Sequence, residues 1–273
     1  LYYLKFYSVT INSMQEDAIF YLRAKQVLQS ASHAIDKLHD TFDSAFVSIC
    51  KALIHIEGNV IVMAVGKSAF IAGKFASTLA SLGVPAFFVH PGEAGHGDCG
   101  NITARDVVIM LTHSGSTEEL CKIAPIVRKR AKAVYGVVGA KDGRLVQYMQ
   151  AVSVLGKQQE ACSVGLAPTT STTVFSVFMD AIAVCVTAHK GIDEKKFATT
   201  HPYGHLGRSL TMSLGDLMRP LAQCAKVALK HSIVDSVFAM LDKQVAHALV
   251  YDGDDIIGIH SLTILKQAFL VHA

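Results

Sequence analysis

Charge is scarce in this sequence. Only 17% of its 273 residues are Asp, Glu, Lys or Arg, while 51% are hydrophobic. That balance excludes a disordered chain, and the length suffices for a substantial core plus a second small domain. The formal net charge of +3 is too small to hold a polyanion, so neither nucleic acid nor a membrane surface is an expected partner. No CxxC pair occurs among the six cysteines, Cys50, Cys99, Cys121, Cys162, Cys185 and Cys224. Several lie in apolar runs, where a thiol acts as a small hydrophobe, and all are read as reduced thiols of a cytoplasmic protein.

Other signals are missing too. Residues 1–13 lack the basic start, apolar stretch and cleavage site of a signal peptide; Met14 is a candidate natural start with an extension before it. The longest apolar run, Thr172 to Ala188, carries Asp180 and is short for a membrane span, so a buried core helix is expected. There is no GxxxxGK[ST] loop, no GxGxxG around Gly66, and no HExxH or paired Cys/His spacing. Those absences remove the common nucleotide, dinucleotide and zinc motifs. Despite 13 histidines, no metal and no organic cofactor are expected, and most histidines are read as loop residues.

What the chain does contain is an alternation. Residues 15–57 read as helical, with apolar residues such as Ile19, Leu22, Val27, Leu28, Ile35 and Leu38 three to five apart. From Val60, short β-rich runs predict strands at Val60–Val65, Ala86–Val89, Val107–Thr112, Ala133–Val138 and Ala151–Leu155. Helical patterns follow at 68–82, 117–131 and 169–190. Uninterrupted apolar strands are those covered on both faces, and strand–helix alternation gives a parallel sheet flanked by helices. The pattern breaks around Gly215–Pro220. Beyond it come a helical stretch (Ile233–Lys243), strands at Ala248–Tyr251 and Ile256–Ile259, and a terminal helix. The fold class is therefore α/β, a doubly wound parallel five-stranded sheet, with a small C-terminal α+β unit.

Ligands of open parallel sheets bind beyond the carboxyl ends of the strands. There this sequence places Gly66-Lys67-Ser68, then HPGEAGHGDCG with His90, Glu93, His96 and Asp98, then HSGSTEE from His113, then Lys157 and Glu160. HSGSTEE is the strongest local signal. A small-residue turn at a helix N-terminus offers unpaired N–H groups, to which Ser114, Ser116 and Thr117 add hydroxyls, and together they form a phosphate cradle. The competing interpretation is an ordinary capping box, Ser/Thr followed by Glu.

The ordered set VGKSA, FFVHPGEAGHGD, THSGSTEEL, EACSVGLAPTTSTT and HPYGHLGR resembles the sugar isomerase (SIS) domain of the arabinose-5-phosphate isomerases. The likeness covers residues 14–212. The segment 213–273, LGDLMRP through VYDGDDIIGIHSLTILKQA, resembles a single cystathionine-β-synthase-type (CBS) module, where members of the family usually carry two. The resemblance implies interconversion of D-ribulose 5-phosphate and D-arabinose 5-phosphate for synthesis of Kdo, a lipopolysaccharide sugar. It also implies a homotetramer whose active sites draw on more than one subunit. Lys67, Glu119, Glu160 and His201 match active-site positions of the family, expected to be catalytic, and Ser68, Ser114 and Thr117 match its phosphate and sugar-binding positions. Ser116 and His96 join them as candidate substrate- or phosphate-binding residues. HPYGHLGR departs from the family's HPGGALGR, and Ser261-Leu262-Thr263 replaces the acidic residue of nucleotide-binding CBS modules.

Isomerisation moves a proton between C1 and C2 and needs a base, served by a carboxylate whose pKa burial raises. Glu160 is the expected base and Glu119 the alternative. His201 suits ring opening or proton shuttling, and Lys67 suits stabilising the enediolate. The rivals are a non-catalytic sugar-phosphate sensor and an isomerase of another sugar phosphate. Against the sensor, residues 1–57 are too short and too lightly charged for a DNA-binding domain.

Overall fold

The computed structural model describes residues 2–201 and 212–264, with side chains from residue 17 onward, Lys195 excepted. The chain divides into two compact units, residues 1–211 and 212–273. In the first, helix α1 (Tyr2–Asp36) and helix α2 (Ser44–Ile54) precede strand β1 (Val60–Met63), helix α3 (Lys67–Ser81), strand β2 (Ala86–Phe88) and the short helix α4 (Pro91–Gly95). Strand β3 (Val107–Thr112), helix α5 (Glu118–Arg130), strand β4 (Ala133–Val138), strand β5 (Ala151–Val154), helix α6 (Thr170–His189) and helix α7 (Glu194–Thr200) complete it.

The five strands form one sheet in the order β2-β1-β3-β4-β5, and every pairing is parallel. Every residue of β1, β3 and β4 is buried, which is why these segments read as unbroken apolar runs rather than alternating ones. Two cores result. On one face Val62, Ile109 and Val137 pack with Phe75 of α3 and Phe178 of α6; on the other Ile61, Val108 and Met110 pack with Leu120 and Ile123 of α5. Helix α6 is long and apolar enough to cross a membrane by length and composition. Here it is a core helix: Val174, Phe175, Phe178, Met179, Ile182 and Val186 are buried, and Phe178 stacks on Phe42 at 5.8 Å.

The lower end of the sheet is tied by one carboxylate. Asp106 is 1% exposed. Its Oδ1 accepts from the Asn59 N–H at 2.6 Å, and its Oδ2 accepts from the N–H and hydroxyl of Thr103 at 2.6 and 2.7 Å. A Cβ on Gly58 would run into this carboxylate, so the turn into β1 requires glycine for clearance. Burial pushes the Asp106 pKa up, but the bonds from Asn59 and Thr103 outweigh it and hold the carboxyl below its usual value. A depressed folded pKa contributes stability above the unfolded pKa and loses it as pH falls through the folded one. Asp106→Ala is therefore expected to cost about 2 kcal/mol at pH 7, because two part-buried hydrogen bonds from the Asn59 and Thr103 N–H groups lose their acceptor. Urea unfolding at pH 7 and near pH 3 checks this: the gap to wild type must shrink at the acid end.

The helical stretch expected from residue 15 begins earlier. Helix α1 runs from Tyr2, since extending a nucleated helix costs little per residue. The core strands lie as expected, with ends differing by one or two residues.

In the second unit come the one-turn helix α8 (Leu214–Leu217), strand β6 (Ala225–Ala228), helix α9 (Ile233–Asp242), strand β7 (His247–Asp252) and strand β8 (Asp255–Ser261). Strand β6 pairs parallel to β7, and β7 antiparallel to β8. Strand β6 was not anticipated: Ala-Lys-Val-Ala holds one β-branched residue, and only its alternating burial marks it as a strand. Most of the expected terminal helix, and HPYGHLGR beyond its histidine, lie outside the described residues.

Candidate active site

Strand β1 lies beside both β2 and β3, and the chain leaves β1 and β3 toward opposite faces, α3 into one core and α5 into the other. This is a switch point, and a crevice opens between such strand ends. The β1–α3 turn depends on Gly66, whose φ of 63° places it where a side chain is strained even though there is space for one. It delivers Lys67 and Ser68 to the first turn of α3. The Lys67 side chain is exposed, its Nζ 5.7 Å from the centre of the Phe70 ring.

Across the crevice, residues 113–117 lead from β3 into α5. The Thr117 hydroxyl bonds to that of buried Thr112 at 2.7 Å, and Ser114 Oγ accepts the Ser116 N–H at 3.1 Å. Thr117 is the N-cap of α5 by position, yet among the described residues no side chain caps the helix. The capping box allowed by the sequence is not formed, and the first-turn N–H groups remain open at the positive end of the helix dipole. Glu118 pairs with Lys122 at 2.8 Å along the helix, while Glu119 is exposed in the first turn.

Glu160 stands beyond β5 and reaches the start of α6. Its Oε2 accepts from the Thr169 N–H at 2.7 Å, the Thr169 hydroxyl at 3.1 Å and the Ser171 N–H at 3.3 Å. It thus caps α6 from outside, since Thr169 itself makes no capping bond. The expected upward pKa shift is corrected by these contacts. Burial does raise it, but the bonds from Ser171 and Thr169 win, and Glu160 is held ionised below its ordinary range. Thr172 and Thr173 turn their hydroxyls back onto backbone carbonyls, consistent with a structural use of that threonine-rich stretch.

Two contacts escaped the sequence reading. His113 Nε2 accepts the Gln158 N–H at 3.4 Å, linking the β3 loop to the Glu160 loop across the end of β4. Gly139 permits it, because a Cβ there would stand 2.5 Å from the His113 carbonyl oxygen. No sequence spacing signals either contact.

Lys67, Ser68, Ser114, Ser116, Thr117, Glu119 and Glu160 all emerge at the carboxyl end of the sheet, and exposed His96 closes α4 after β2 at that same end. His201 does not join them within one subunit. It follows α7, stacks on Phe197 at 3.9 Å, and Thr200 beside it donates to the Ser81 carbonyl at 2.6 Å. Ser81 ends α3, whose 15 residues carry the chain about 21 Å away from Lys67 at 1.5 Å per residue. His201 Nδ1 donates to the Phe197 carbonyl at 2.9 Å, which leaves Nε2 as the ring's basic nitrogen. Among the described residues no group of three or more His, Cys, Asp or Glu is placed to hold a metal ion.

A family model described as the SIS domain matches residues 53–185. The arabinose 5-phosphate isomerase KdsD of Yersinia pestis is 34% identical over 239 residues, 88% of this chain and 73% of that protein. The arabinose 5-phosphate isomerase GutQ of Salmonella typhi is 38% identical over 238 residues, 83% of this chain and 73% of that protein. A solved structure of the E. coli CFT073 protein c3406 in complex with arabinose 5-phosphate superposes with a TM-score of 0.64 at 33% identity, covering 68% of this chain and 98% of that one. Likeness at this level, over most of both partners and over the segments that build the crevice, means that this chain belongs to the arabinose 5-phosphate isomerase family of SIS-domain proteins.

Proposed function

We propose that this chain is an aldose–ketose isomerase interconverting D-arabinose 5-phosphate and D-ribulose 5-phosphate, the step that feeds Kdo and lipopolysaccharide synthesis. One observation carries most weight: the uncapped N-terminus of α5 with its serine and threonine hydroxyls opens at the same end of the sheet as the ionised Glu160. A phosphate monoester suits the first, and a carbon acid at the other end of the same small sugar suits the second.

In the aldose-to-ketose direction, a carboxylate removes the C2 proton and the electron pair moves through C1 to the carbonyl oxygen. Lys67 stabilises the enediolate charge that forms. The same carboxyl group returns its proton to C1, while O1 gains a proton and O2 loses one. His201, with Nε2 basic, suits that oxygen-to-oxygen transfer and the preceding ring opening. Glu160 is the assigned base and Glu119 the alternative. Ser68, Ser114, Ser116, Thr117 and His96 bind phosphate or sugar. Side chains alone serve every step.

Because His201 stands at the other end of its own subunit, the reading places a partner subunit's histidine in each site and makes the enzyme a homotetramer. Residues 14–212 form the isomerase domain and 213–273 a CBS-type module. That module exposes Ile256, Ile257 and Ile259 on β8, an apolar strand suited to pairing with the copy in a neighbouring subunit. Six free thiols fit a cytoplasmic setting. The test is an NMR assay of D-arabinose 5-phosphate in deuterated buffer, with and without EDTA. Ribulose 5-phosphate carrying deuterium at C1, unaffected by EDTA, is expected. Binding without turnover would replace the enzyme by a sensor.

A further inference from the structure

The β4–β5 connection has no part in the chemistry above, yet it is locked to the loop that would hold the phosphate. The Leu145 N–H donates to the Gly115 carbonyl at 3.0 Å, and the Arg144 N–H donates to Ser116 Oγ at 3.0 Å. The Arg144 guanidinium donates to the Ser116 carbonyl at 3.4 Å. Backbones approach so closely that a Cβ on Gly115, itself at φ 68°, would lie 2.7 Å from the Ala140 carbonyl oxygen and 3.0 Å from Gly143 Cα. A Cβ on Gly143 would collide with the Gly115 backbone.

Two consequences follow from this geometry. Ser116 Oγ already accepts a bond from the Arg144 backbone, so its proton is left to donate elsewhere. The guanidinium is near enough to Glu118 to help hold that carboxylate below its usual pKa, after the larger effect of Lys122. It therefore stands beside the open first turn of α5, adding a fixed positive charge where the helix dipole already favours an anion.

We propose that Arg144 is a positioning residue for phosphate binding: it braces the Ser116 turn in its anion-ready shape and supplies the cradle with a cationic charge. This rests on the isomerase reading only for the identity of the ligand, a sugar phosphate. The side chain is exposed, so Arg144→Ala leaves the core intact.

The experiment measures isomerase kinetics for wild type, Arg144→Ala and Arg144→Lys, together with inorganic phosphate affinity by calorimetry. Loss of one charge-assisted bond at an exposed site predicts KM and the phosphate Kd rising about five- to tenfold in Arg144→Ala, with a smaller change in kcat. Arg144→Lys, which keeps the charge and loses the planar fork, is expected to recover about half of the loss on a logarithmic scale. Unchanged KM and phosphate Kd overturn the proposal, as does a fall in kcat alone or a lysine variant no better than alanine. If wild type fails to turn over arabinose 5-phosphate while Arg144→Ala still weakens phosphate binding, the isomerase reading falls and this one stands.

Discussion

Replacing Glu160 by glutamine is expected to lower kcat for arabinose 5-phosphate by about a thousandfold while destabilising the fold less than removal of the side chain does. The first half follows from the size of general-base catalysis, about 10²–10⁴ in rate. The second follows from geometry. Glu160 Oε2 only accepts, from Thr169 and Ser171, and an amide oxygen can accept the same bonds. Alanine cannot, so Glu160→Ala is expected to lose turnover and also about 1 kcal/mol of stability with the α6 cap. Glutamine thus separates chemistry from capping, and thermal melts beside steady-state rates read both. A glutamine variant with near-wild-type turnover would reduce Glu160 to a cap and move the base to Glu119.

The pH profile is a second reading of the same residue. A base must be ionised, and the folded Glu160 pKa lies below its ordinary 4.5. The acid limb of kcat/KM due to Glu160 in the free enzyme is therefore expected below about 4.5. A limb nearer pH 6 belongs to a group other than Glu160, such as the substrate phosphate, whose second pKa is about 6.

The other large effect concerns assembly. Lys67→Ala and His201→Ala are each expected to be inactive alone, yet co-expression should restore about a quarter of wild-type activity. If every site takes Lys67 from one subunit and His201 from another, random mixing leaves about one site in four with both side chains intact. The structural ground is the length of α3, which sets Lys67 and the Ser81 contact of Thr200 at opposite ends of the sheet. Purified mixed oligomers, assayed beside each parent, give the answer. Persistent inactivity of the mixture would mean that both groups serve one subunit's site, whereas an active His201→Ala parent would mean that His201 has no part in it.

Much of the first unit could be read directly. VVIMLT and AVYGVV are buried throughout, and only a strand covered on both faces uses apolar residues without alternation. The same parallel order brings the ends of β1, β3 and β5 to one edge, so the loops starting at Gly66, His113 and Gly156 could be grouped without coordinates. Strand β6 could not be read, because its four residues carry little β propensity and are held by pairing with β7. Nor could the start of α1, where the helix extends back from a stronger pattern.

Within the site the division is sharper. Residue types and their order after each strand were settled by the sequence, since a parallel sheet sends every strand's carboxyl end the same way. Whether Thr117 capped its own helix or turned to Thr112, whether burial or hydrogen bonding governed the Glu160 carboxyl, and which end of the sheet received His201 were decided only by tertiary structure. So was the lock between Gly115 and Gly143. Each of these outcomes turns on a few ångströms between groups that the fold juxtaposes, and apolar periodicity carries no information about such distances.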